Sequence, residues 1–371
     1  MKLTPFLLDQ WLELKNTADP PIEYDLGSST GPVWTLRELL ALGGHDFESF
    51  LDTRLFYTSP AGSEELRNAI ATLEGVDVSA VQVLTGAAEA LLILFFLAAE
   101  AGANIVLPSP GFPTNAALPQ GLRLETRYYK LRARDRFRID LDEIRALVDD
   151  HTRFVFVNSP HNPTGRVLSD KEAEEIHDFC AARRVQIVFD QVYHPIYHGE
   201  PSRTAARLPH ATVLGDFSKA LCLSGLRVGW IIEHDPARRA EYLNARSYFT
   251  VSNSILNERL ATFALAHRDV IYERARRTTQ KNLALLDPVL SGNDFIGWVR
   301  PQGGMTGFPW LVDGTNAREF CRDLAKRGVL LAPGDCFDMP SHFRIGFGTS
   351  GDRFPLALER FSEFLASYVA A

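Results

Sequence analysis

The chain reads as an α/β protein, a three-layer large domain on a mostly parallel sheet joined to a smaller α+β domain. Three observations predict this. Between residues 80 and 232, short apolar runs alternate with stretches of helical pattern, the order that lays parallel strands side by side with helices on both faces. Residues 236–290 then read as long helices, and residues 291–371 return to mixed strand and helix segments. At 371 residues the chain exceeds what one simple core accommodates. The predicted division is an N-terminal arm with part of the small domain over 1–40, a large domain over 41–270 and a small C-terminal domain over 271–371.

Residues 1–35 suggest a short helix followed by an extended arm rich in Pro and Gly, whose backbone angles suit turns. Ser63 precedes Glu64-Glu65-Leu66, a helix start in which Ser63 can cap and the glutamates meet the positive helix end. Candidate strands follow at Val81–Leu84, Asn104–Leu107, Arg153–Val157, Val185–Phe189, Ala211–Gly215 and Arg227–Ile232. Leu91 to Ala99 is strongly apolar but bounded by Glu89 and Glu100, too short to span a bilayer, and reads as a buried helix. Ser169 and Glu172 have capping-box spacing at the start of a helix that runs to Arg184.

Composition narrows the function. The net charge is −7 and basic residues cluster only in pairs such as Arg183-Arg184, so nucleic acid is not an expected partner. Cys180, Cys222, Cys321 and Cys336 lack C-x-x-C spacing, which argues against a zinc site or disulfide framework and for a reducing compartment. No metal is expected. The N-terminus shows no signal-peptide pattern, and the expectation is a cytoplasmic protein that does not enter a membrane.

In such a sheet ligands bind beyond the carboxyl ends of the strands, and the chemically suggestive residues fall there. Gly215-Asp216-Phe217-Ser218-Lys219 closes one strand, and Arg227 opens another eight residues after the lysine. This spacing suits an imine-forming lysine beside a phosphate-binding arginine. Thr85-Gly86-Ala87-Ala88 joins a strand to a helix N-terminus, where backbone N–H groups can hold a phosphate. Asp190 closes Val188-Phe189-Asp190-Gln191-Val192-Tyr193, and Asn162-Pro163-Thr164-Gly165 follows the strand Phe154-Val155-Phe156-Val157.

The order N-P-T-G, D-x-x-Y, S-K and R resembles that of the class I/II aminotransferases, fold type I enzymes that use pyridoxal 5′-phosphate (PLP). The resemblance extends over nearly the whole chain. It implies that Lys219 carries the cofactor as a Schiff base and moves the substrate α-proton. Asp190 would pair with the ring nitrogen, and Asn162 and Tyr193 with the phenolic oxygen. Gly86, Ala87, Ala88, Ser218 and Arg227 would hold the phosphate, and Phe112 in Pro110-Gly111-Phe112 would stack on the ring. Tyr57, in a segment similar to the family's Y-x-x-x-x-G-x-x-x-L-R, would reach the phosphate of a partner subunit, which implies a homodimer with shared sites. Arg344 in Phe343-Arg344-Ile345-Gly346 would bind the substrate α-carboxylate, with Asn162 beside it. Two departures stand out. Ala87 and Ala88 replace common hydroxyl residues, and Asp216 sits where Ser or Thr is usual.

The implied activity is transfer of an amino group from an L-amino acid to a 2-oxo acid. The alternative is β-elimination or cyclisation on the same machinery, as in C–S lyases. Ser159 to Gly165, Tyr248 to Ser254 and Gly303 to Pro309 look like segments of capreomycidine synthase, a PLP-dependent cyclase. Tyr24, Trp34 and Phe308 are candidates for the side-chain pocket.

Overall fold

A computed structural model describes residues 3–44, 48–349 and 351–369. Its centre is a seven-stranded sheet: β1 (Val81–Leu84), β2 (Asn104–Ser109), β3 (Glu125–Lys130), β4 (Thr152–Asn158), β5 (Gln186–Asp190), β6 (Ala211–Asp216) and β7 (Gly229–Ile232). The spatial order is β1-β7-β6-β5-β4-β2-β3. Only β7 runs antiparallel to its neighbours.

Period-two alternation explains how β4 holds the sheet between two layers. Phe154 and Phe156 pack on one face with α2 (Ala87–Ala98) and α4 (Pro236–Phe249), while Val155 and Val157 pack on the other. That second face is covered by α1 (Glu64–Glu74), α3 (Asp170–Arg183) and α5 (Ile255–Ala266). A sheet buried on both faces demands continuous apolar strands, which is why the central ones were legible as runs.

Local details depart from expectation in two places. Ser169 and Glu172 do form the reciprocal capping box of α3, but Ser63 makes no side-chain cap. Its N–H donates instead to the buried Glu258 carboxylate at 2.7 Å. Strand β3 is an edge strand in which only Tyr129 is buried, and its polar sequence hid it from periodicity.

A second apolar cluster lies along the C-terminal half of α6 (Arg268–Ser291). Leu283, Leu286 and Leu290 meet Phe320, Leu330, Phe343, Phe361 and Leu365 there. Three short strands, Thr306–Gly307, Phe343–Gly346 and Ala332–Pro333, pair antiparallel beside it. The N-terminal segment joins the same cluster: Tyr24–Asp25 pairs with Val329–Leu330, and the Trp11 indole N–H donates to Leu331 O at 2.6 Å. Among the described residues no helix is long and apolar enough to cross a membrane.

Candidate active site

Strand register brings the predicted residues to one edge. Asn158 lies opposite Asp190, Asp190 opposite Leu214, and Gly229 opposite both Asp216 and Leu84. The ends of β1, β4, β5 and β6 therefore align with the start of β7. Beyond them opens a cavity of about 230 Å³ lined by Ala87, Ala88, Phe112, Asn162, Asp190, Tyr193, Asp216, Ser218, Lys219 and Arg227, together with Asn158 and Asn115.

Lys219 sits on the cavity wall, and its ammonium donates to Ser29 Oγ at 3.0 Å. Burial, then the neighbouring Arg344 charge, lower its pKa to about 8, against the pull of Asp216 and Asp190. Roughly a tenth of the amine is then neutral at pH 7, far more than for a free lysine, as imine chemistry requires. Asp190 accepts the Val192 N–H at 3.2 Å. Burial raises its carboxyl to about 7, and the Asp216 charge adds to the rise. Among the described residues such a carboxyl makes no ion pair within 4.0 Å, and a protonated ring nitrogen would supply one.

Asn158 organises this wall from behind. Its amide donates to Asp190 O at 3.0 Å, and its oxygen accepts the Asn162 N–H at 2.7 Å. The Asn162 side-chain oxygen in turn accepts from Arg344 Nη1 at 3.3 Å.

At the opposite end, β1 turns into α2 through Gly86 with φ +78°, and a Cβ there would lie 2.7 Å from the Arg227 guanidinium. Glycine is thus required both by backbone angle and by close approach. Arg227 donates to Ser218 Oγ at 3.1 Å and to Ser224 O at 3.2 Å, and is itself exposed. The cup holds an anion of its own: Asp216 accepts the Ala87 N–H at 2.8 Å and also the Ser218 N–H.

Three further predicted residues have these surroundings. The Tyr193 hydroxyl donates to Ser29 O at 2.9 Å rather than lying free beside Asn162, and burial raises it to about 12. Arg344 is only 1% exposed and stands behind the cavity wall. There it donates to Gly27 O at 2.6 Å and stacks over Phe337 at 5.1 Å. Tyr57 is 74% exposed and takes no part in its own chain's cavity. Phe308 and Tyr24 are core residues, and Trp34 lines a separate apolar cavity of about 420 Å³.

Sequence reasoning missed Ser29, which contacts Lys219 and Tyr193 from 190 and 164 residues away. The available signal was Asp25, whose carboxylate accepts the Gly27 and Ser28 N–H groups and sets the arm's turn. Among the described residues, no cluster of His, Cys, Asp and Glu has the arrangement of a metal site.

A depressed lysine, a buried carboxyl in want of a cation, an aromatic face and a glycine-built anion cup together fit PLP, and with the sheet order they define a fold type I PLP enzyme. Comparison with known proteins places the chain more narrowly: residues 31–361 match the family model described as aminotransferase class I and II, and the chain belongs to that family. It is 31% identical to capreomycidine synthase of Streptomyces vinaceus, covering 93% of this chain and 90% of that one. It is 32% identical to valine–pyruvate aminotransferase of Mycobacterium tuberculosis, covering 98% and 96%. The crystal structure of a PLP-dependent aminotransferase from Streptococcus suis superposes with a TM-score of 0.91 at 26% identity, covering 99% of each chain. The cofactor is pyridoxal 5′-phosphate.

Proposed function

We propose that the protein is an aminotransferase that moves the amino group of an L-amino acid to a 2-oxo acid. The observation that carries this reading is the Lys219 amine, lowered to about 8 and set on one wall with Asp190 and Asn162. When bound, PLP supplies a sink for the electron pair left at the substrate Cα. Asp190 is the residue that would keep its ring nitrogen protonated. Lys219 Nζ would take the proton from Cα and return it two bonds away, to the carbon beyond the amino nitrogen, a general base and then a general acid. Arg344 receives the α-carboxylate once Gly27 O gives way, and its fork holds the Cα–H bond in line for Lys219.

The active unit in this reading is a homodimer. An exposed apolar group, Leu51, Leu55, Phe56, Tyr57, Tyr248 and Val251, supports a subunit interface. Across it Tyr57 would reach the partner's cup. The arm with part of the small domain (1–40), the large PLP-binding domain (41–270) and the C-terminal small domain (271–371) form the working division, in a cytoplasmic enzyme.

A second reading, elimination followed by ring closure, is favoured by the likeness to capreomycidine synthase over 93% of the chain. It needs the same lysine and the same carboxylate clamp, and differs only in a leaving group on the substrate.

One experiment separates them. Cofactor-loaded protein is mixed with a panel of amino acids without any oxo acid. Conversion of the visible spectrum to the pyridoxamine form with one equivalent of oxo acid is the expected result. Sustained turnover releasing ammonia, or a cyclised product, would replace transamination with the second reading.

A further inference from the structure

The mechanism leaves one buried charge of the cavity wall unused. Asp216 ends β6 on the cavity wall, 6% exposed, and its carboxylate occupies two of the cup's backbone donors, the N–H groups of Ala87 and Ser218. It is held there by packing. A Cβ on Gly86 would lie 3.1 Å from Asp216 Oδ2, and one on Gly229 would lie 2.7–2.8 Å from the Gly86–Ala87 backbone. Among the described residues, neither Asp216 nor Arg227 makes an ion pair within 4.0 Å.

Other charges face the cup. Arg227 and Lys219 are its cations, and Asp190 is a second anion behind it. Glu89, one turn into α2, accepts the Thr85 N–H at 2.6 Å and lies 3.7 Å from Arg246. Tyr193 is tied to Ser29. A phosphate dianion entering this cup would bring two further negative charges against a carboxylate that makes no ion pair within 4.0 Å.

Carboxylate oxygens have lone pairs beyond those used by Ala87 and Ser218. We propose that Asp216 makes the cup take its phosphate together with one proton, shared between a phosphate oxygen and the Asp216 carboxylate as an O–H···O hydrogen bond. The inference rests on the cofactor assignment, and it makes Asp216 a specificity residue for the protonation state of the cofactor phosphate. No covalent bond forms or breaks except the O–H bond of the proton drawn from solvent.

The test uses 4′-deoxypyridoxine 5′-phosphate, which has no aldehyde for Lys219, and inorganic phosphate. Calorimetric titrations in buffers of different ionisation heat measure proton uptake, with unphosphorylated 4′-deoxypyridoxine as the ring control. The wild type should take up about one more proton per phosphorylated probe at pH 8 than Asp216→Asn or Asp216→Ser. Because the second phosphate pKa is about 6, wild-type affinity should fall about tenfold per pH unit from 7 to 9, against less than about threefold for the variants. The ³¹P resonance of the bound probe should stay at the monoanion position over that range. Asp216→Asn retains an acceptor for Ala87 N–H, so a melt matching the wild type certifies its fold. Equal proton uptake and equal slopes in all three proteins would overturn the inference and leave Asp216 a helix cap. Failure of the wild type to bind either probe would overturn the cofactor assignment as well.

Discussion

The two ends of the cavity are built by different rules. The wall with Lys219, Asp190 and Asn162, and the cup with Gly86 and Arg227, hang from strands whose register is set by backbone pairing. The end with Arg344 and Ser29 is assembled from opposite ends of the chain, where Gly27 O meets a guanidinium 317 residues away. The first is a rigid frame for the reaction. The second is a set of replaceable contacts: in the proposed reading, the substrate would displace the carbonyl that Arg344 now holds and the hydroxyl that Lys219 now holds. Groups on the frame should therefore govern rate, and groups at the arm should govern affinity and access.

The largest effect should come from the frame. Asp190→Asn removes the anion that would hold the ring nitrogen protonated, and transamination should slow by about 10²–10³-fold with little change in substrate affinity. Stability should move the other way. The folded pKa of Asp190, about 7, lies above its ordinary value near 3.8. The folded apoprotein therefore keeps this proton while the unfolded chain loses it, and its contribution to stability is present at low pH and lost as pH rises toward 7. Urea melts of apoprotein at pH 8 should show Asp190→Asn more stable than wild type by up to about 4 kcal/mol, a gain that shrinks toward pH 4. A loss of stability at pH 8 would mean that the carboxylate has a cation or water partner which removes its burial cost.

At the arm end, Arg344→Lys replaces a two-pronged donor with a point charge. The expected loss is about 30–100-fold in kcat/KM, carried by KM for the amino acid. An equal fall in kcat at saturation would place Arg344 in the frame instead and erase the distinction between the two ends.

That distinction also explains what could be read from the sequence. The central strands and the residues at their ends were legible because burial on both faces writes apolar runs, and chain breaks at a common edge put polar residues in line. The edge strand β3 was not, because solvent on one side permits Glu-Thr-Arg-Tyr-Tyr-Lys. Arg344 was legible as a residue type, but its present partners were not: hydrogen bonds to Gly27 O and Asn162 depend on how separate segments dock. Ser29 escaped for the same reason, since no local pattern encodes a contact with Lys219.

Ser29 offers the smallest and sharpest test of the arm. Its hydroxyl accepts from the Lys219 ammonium at 3.0 Å, a bond that favours the charged form. Ser29→Ala should therefore lower the amine further below about 8 and increase the neutral fraction at pH 7.5. The Tyr193 contact should survive, because it uses the Ser29 backbone carbonyl. A charge-assisted bond of about 1 kcal/mol corresponds to a few-fold change. Capture of unphosphorylated pyridoxal, trapped by borohydride at Lys219, should accelerate by about two- to threefold at pH 7.5. The acceleration should disappear above pH 9, where the wild-type amine is already neutral. If capture slows instead, the hydroxyl orients the neutral amine rather than restraining the ammonium, and the arm belongs to the reacting frame.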